Sequence, residues 1–62
     1  MSKRIYLFRI RTRYLVKSRW HVFYTHWHKC PEDAWLENDE TLHTTNALES
    51  QSSIQSREVI EL

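Results

Sequence analysis

A chain of 62 residues makes one domain, residues 1–62, and at that size folding hides only about 60% of the surface exposed by the unfolded chain, so the core is marginal without a staple or a partner. Its single cysteine rules out an internal disulfide, which fits a reducing compartment. A net charge of +1 conceals segregation: residues 1–30 hold eight Lys and Arg and no acid, giving +8, whereas residues 31–62 hold eight acids and Arg57, giving −7.

The first predicted element is a hairpin. From Arg4 to Val16 the even positions read Arg, Tyr, Phe, Ile, Thr, Tyr, Val, while the odd ones carry Arg9, Arg11 and Arg13 between aliphatics. Successive strand side chains point to opposite faces, so the three arginines form a stripe behind a mainly apolar face. A second run, Arg19 to Lys29, is rich in the aromatic and β-branched residues that suit a pleated surface. A two-residue loop at Lys17-Ser18 pairs Tyr14 with His21, Thr12 with Phe23, Ile10 with Thr25 and Phe8 with Trp27. That sets Arg9, Arg11 and Arg13 beside His26, Tyr24 and Val22. A three-residue loop shifts the register by one and turns Trp20, Val22 and Tyr24 toward the core. We take the first, which gives one coherent apolar face, although the chain has no Gly and lacks the Asn-Gly signal of a tight turn.

Pro31-Glu32-Asp33 after Cys30 reads as a helix start, with Pro at the first position and acids at the positive end of the helix dipole. The helix is expected from Pro31 to about Asp39, pinned to the sheet by Trp35. Between Asn38 and Ser53 apolar residues are sparse, and a loop is preferred over a short strand near Leu42 or a helical turn capped by Asn46 and Glu49. Ile54 to Leu62 reads as the last strand. Laid antiparallel beside the first, it gives an α+β domain of ββαβ order with a three-stranded sheet, strand order second, first, last, and the helix on one face. Tyr6, Phe8, Phe23 and Trp27 are expected in the core, because a small domain needs its largest side chains buried.

On this arrangement Glu58 or Glu61 stands across from Arg9, Arg11 or Arg13, and the acidic half neutralises the basic half. The competing use of the stripe is recognition. Arg9, Arg11 and Arg13 with Trp20 and Tyr24 offer phosphate contacts plus rings for stacking, provided that the acids lie on the far side. No helix-turn-helix, zinc-finger or RNP-type signature is present. Trp20, next to the turn, is a candidate hot spot for a protein partner.

His26-x-His28-x-Cys30 places two imidazoles and a thiol on one strand face, with His43 as a distant fourth ligand, but the second short-spaced ligand pair of a structural zinc site is missing. The histidines read as ordinary sheet surface and no cofactor is implied. Cys30 sits at a helix N-terminus beside Lys29, where a thiolate is favoured, yet a chain this short without Gly has little means to build a catalytic pocket. The longest uncharged run, Trp20 to His28, is too short and polar to span a membrane, and the Arg-interrupted run after Met1 is not a signal-peptide core. The expectation is therefore a soluble, cytoplasmic, non-enzymatic protein that occupies a protein partner, with nucleic-acid binding as the alternative. A homodimer is also expected of a marginal monomer with complementary halves. Chains this compact are often phage or mobile-element accessory proteins, an inference from length alone.

Overall fold

In the computed structural model, which describes residues 2–61, β1 (Lys3–Val16) is the central strand of a three-stranded antiparallel sheet. β2 (Arg19–Tyr24) lies on one side and β3 (Glu49–Glu61) on the other, in the expected order. The helix α1 (Pro31–His43) covers one face. Leu62, assigned to the last strand from sequence, lies outside the described residues, as does Met1.

The hairpin forms with the two-residue loop. Tyr14 pairs with His21 and Thr12 with Phe23. Lys17 and Ser18 have φ of 50° and 63°, the double left-handed conformation of a type I′ turn. Left-handed backbone costs a non-glycine residue roughly 1–2 kcal/mol, so the flanking ladder holds the turn in place of turn chemistry.

The register departs from expectation after Thr25. Its N–H donates to the Ile10 carbonyl at 3.0 Å, but the Ile10 N–H donates to the Thr25 side-chain hydroxyl at 2.9 Å, and that hydroxyl donates to the His26 carbonyl. With a side chain standing in for a ladder carbonyl, the strand takes in one extra residue, and Phe8 faces His28 where Trp27 was expected. Every side chain beyond this bulge changes face. Trp27 joins the arginine side of the sheet and His28 turns toward the helix.

The helix begins as expected but runs four residues past Asp39. Thr44 and Thr45 close it, their hydroxyls donating to the Thr41 and Leu42 carbonyls at 2.7 Å each, and Asn46 with φ 57° reverses the chain. The stretch 38–53 is thus no loop: its first part is helix and its last part, from Glu49, is strand. The Glu-Ser-Gln-Ser-Ser start of β3 lacks apolar pattern because its partners on β1 decide its state, in an unbroken ladder from Leu15 opposite Glu49 to Lys3 opposite Glu61.

The core also differs from the predicted one. Ile10 and Ala34 are its buried apolar residues, joined by Thr12, Thr25 and Asn38. Tyr6 is 54% exposed, while Phe8, Phe23 and Trp27 are only half-buried. Trp35, expected to pin the helix, is exposed. Ala34 and Asn38, one helical turn apart, do the docking: Thr12 donates to the Asn38 side-chain oxygen, and Ser52 lies 2.7 Å from the Thr12 hydroxyl. The sheet is too long for one helix to cover, and the molecule measures 51 × 16 × 13 Å.

Candidate polyanion-binding face

Alternation along β1 places Arg9, Arg11 and Arg13 on the face opposite α1, because Thr12, which meets the helix, lies between two of them. All three are half-buried. Across the hairpin Arg11 pairs with Tyr24, Arg13 with Val22 and Leu15 with Trp20, so the residues singled out from sequence share one surface. Trp20 is 44% and Tyr24 48% exposed.

Guanidinium groups and rings are stacked along this face. The Arg9 guanidinium carbon lies 4.4 Å from the Tyr24 ring centroid and 4.6 Å from that of Trp27. Arg57, on β3, approaches Trp27 at 4.9 Å, and Arg13 approaches Trp20 at 5.1 Å. Each contact contributes about 0.5–1 kcal/mol at an exposed site and, more usefully, restrains a long side chain. Rings occupy guanidinium faces, and the Arg9 Nε edge is taken by the Gln55 side-chain oxygen.

Among the described residues the expected pairing of the stripe with Glu58 or Glu61 does not form. Opposite Arg9, Arg11 and Arg13 stand Gln55, Ser53 and Gln51, and the Arg9 Nε donates to the Gln55 side-chain oxygen at 2.8 Å. Glu58 points to the helix side, where it pairs with Arg4 at 3.2 Å, and Glu61 faces Lys3 at the far end. Six ladder positions separate Lys3 from Arg9, about 20 Å of strand. The account in which β3 glutamates neutralise the stripe is therefore overturned. The five helix acids, Glu32, Asp33, Glu37, Asp39 and Glu40, lie on the opposite side of the sheet; on the arginine face Glu49 stands one diagonal step from Arg13.

Arg57 and Trp27 were not among the sequence candidates. Arg57 stood alone in an acidic half, and Trp27 was assigned to the core by a register that the bulge alters. No local signal in the sequence announces that bulge.

The histidines have a different fate. His26 and His28 converge on Glu37: the His28 Nε2 lies 2.7 Å from one carboxylate oxygen, the His26 Nδ1 3.2 Å from each, and the His26 backbone N–H donates to both at 3.1 Å. Burial raises the affinity of the Glu37 carboxyl for its proton, but the bonds from His28 and His26 outweigh it and hold the group below its ordinary value of 4.5. Cys30 is the N-cap of α1 and makes no side-chain capping bond, and His43 lies in the last turn, a helix length away. The four proposed ligands are not brought together. Among the described residues no group of three or more His, Cys, Asp or Glu is arranged to hold a metal ion. No helix of the described residues is long and apolar enough to cross a membrane.

Comparison with protein-family models, curated proteins and solved structures finds no match to this chain.

Proposed function

We propose that the chain is a non-catalytic nucleic-acid-binding module, its phosphate contacts supplied by Arg9, Arg11, Arg13 and Arg57 and its stacking surfaces by Trp20, Tyr24 and Trp27. The observation that carries this reading is that the five helix acids lie across the sheet from the stripe, which leaves Glu49 and Glu61, at the two ends of β3, as the acids of the arginine face. A basic stripe repels no phosphate if the acids sit behind it, and here the helix acids do. Restraint by the rings lowers the entropy cost of fixing each arginine on a phosphate oxygen. Trp20 and Tyr24, exposed between cations beside the half-buried Trp27, give the combination of rings and cations that single-strand binders use, and an arginine plane can itself serve as a stacking platform.

The test is titration of intrinsic Trp fluorescence with a mixed-sequence single strand and with a duplex, across a salt series. The expected result is a saturable change whose log affinity falls linearly with log salt, with a slope of about −3 to −4 if four arginines each neutralise a phosphate. No change at low salt, where such contacts are strongest, would overturn the reading.

A second reading, occupation of a protein partner with an acidic surface, is favoured by the exposed Trp20 stacked with Arg13 at the hairpin tip, a pairing of residue types enriched in binding hot spots. It separates from the first by substitution. Trp20→Ala would then abolish binding while salt has a modest effect.

A further inference from the structure

We infer that two copies of this chain join through their β3 edges, antiparallel about a two-fold axis at Ile54, to form one six-stranded sheet. Four observations lead there.

The first is size. The radius of gyration is 13.9 Å, whereas a compact domain of this length has about 10.5 Å. The accessible surface is 4981 Å², whereas a monomer of this mass exposes about 4,300 Å². The excess approaches the roughly 800 Å² that one partner contributes to a standard interface.

The second is the edge itself. Phe8 and Ile10 direct their backbone groups to the β2 side, bonding to His28 and Thr25 just beyond that strand, so the odd residues of β1 bond to β3. In the one-to-one ladder the odd residues of β3 answer them, which leaves the N–H and C=O of every second residue from Ser50 to Ile60 pointing outward. This 13-residue strand has no proline and no bulge, two of the devices that blunt an edge, and among its outward-directed residues from Ser50 to Ile60 the charge is Glu58 alone.

The third is the apolar row beside that edge. Ile54 and Ile60, opposite Ile10 and Arg4 of β1, lie on the helix side and are 46% and 59% exposed, and Leu48, 77% exposed, immediately precedes the strand. Trp35, itself exposed, takes the helix flank away from Glu37, which reaches His28 on the β2 side of the sheet, and hence the flank toward β3.

The fourth is self-complementarity, which selects a second copy as the occupant. Antiparallel pairing with Ile54 opposite Ile54 sets Ser52 opposite Ser56 and Ser50 opposite Glu58, and it brings Glu49 into diagonal reach of Arg57 twice. No like charges oppose each other. Pairing centred on Gln55 would set Glu49 against Glu61, and pairing on Arg57 would set it against itself.

Because the axis runs through the sheet, both helices fall on one side and both arginine stripes on the other. Three inter-strand spacings, about 14 Å, separate the stripes of β1 and its symmetry mate. The dimer would present a cationic face twice as wide.

The full chain is examined by sedimentation equilibrium and light scattering without nucleic acid, so that failure here leaves the arginine-face reading intact. The expected mass is twice 7.7 kDa at micromolar concentration. Ser56→Pro removes an N–H that faces outward and belongs to no β1 bond, so it should leave the circular-dichroism spectrum unchanged and yield the monomer. Cys30→Ser/Ile54→Cys should cross-link with oxidised glutathione, because residues opposite each other in a hydrogen-bonded pair lie about 5.5 Å apart, within disulfide range. A monomer throughout the micromolar range, a dimer that survives a folded Ser56→Pro variant, or a dimer that fails to cross-link at position 54 would each overturn the inference.

Discussion

Arg9 stands opposite Gln55, and its Nε donates to the Gln55 side-chain oxygen at 2.8 Å. A neutral amide holds the guanidinium in place without cancelling its charge, so position and potential are separately controlled. Gln55→Glu would supply the charge partner that the sequence suggested. Cross-strand pairing of opposite charges contributes about 0.2–1 kcal/mol, so the midpoint of urea unfolding should rise slightly while affinity for a DNA single strand falls several-fold at low salt. An unchanged affinity would detach Arg9 from the binding face.

The turn is the cheapest place to gain stability. Lys17 and Ser18 occupy left-handed backbone that Asn and Gly adopt with less strain. Lys17→Asn with Ser18→Gly should stabilise the chain by about 1–2 kcal/mol in chemical denaturation, with the Trp20 spectrum preserved. Loss of stability would mean that the turn is of another type.

Glu37 makes stability depend on acid. Its folded-state affinity for protons is depressed below the ordinary value of 4.5, so its contribution is complete above that pH and is lost as pH falls through the lower folded value. Glu37→Gln should therefore be less stable than the parent at pH 7, with the gap closing below pH 4.5. Thermal melts from pH 7 to pH 2.5 measure the gap directly. Parallel curves would show that His26 and His28 do not depend on the charge of Glu37.

Asn38 docks the helix through a buried polar cluster with Thr12 and Ser52. Asn38→Ala would remove the Thr12 hydroxyl's acceptor on the helix, leaving it Ser52 alone, and would empty buried space beside it, at a cost of about 1–3 kcal/mol. Thr12→Val with Asn38→Leu, which removes both partners and fills the space, should recover most of that loss. A double-mutant cycle by urea denaturation reads the coupling.

Much of the fold was legible because its signals are local. Alternation of Arg9, Arg11 and Arg13 with Phe8, Ile10 and Thr12 defines a two-faced strand, the Lys17-Ser18 junction follows from where the alternation breaks, and Pro31 with Glu32 and Asp33 marks a helix start. The same alternation put Arg9, Arg11, Arg13, Trp20 and Tyr24 on one surface, as the ladder does. Helix length was less legible, since Glu40 to His43 fit helix or loop equally well until the Thr44 and Thr45 hydroxyls close the last turn.

By itself the sequence determined the hairpin, its turn and the division of charge between the two halves, since period and composition act within a few residues of one another. Only the tertiary structure decided where those charges meet. Glu49 to Ser53 became strand because β1 offered an unpaired edge long enough to take them, Trp27 changed face because the Thr25 hydroxyl replaced a ladder carbonyl, and the helix acids went behind the arginines because Asn38 found Thr12. Each of those outcomes depends on partners 15 to 42 residues apart along the chain, from Ile10 and Thr25 to Arg11 and Ser53, a separation at which pattern carries no information and only packing and hydrogen bonding select the answer.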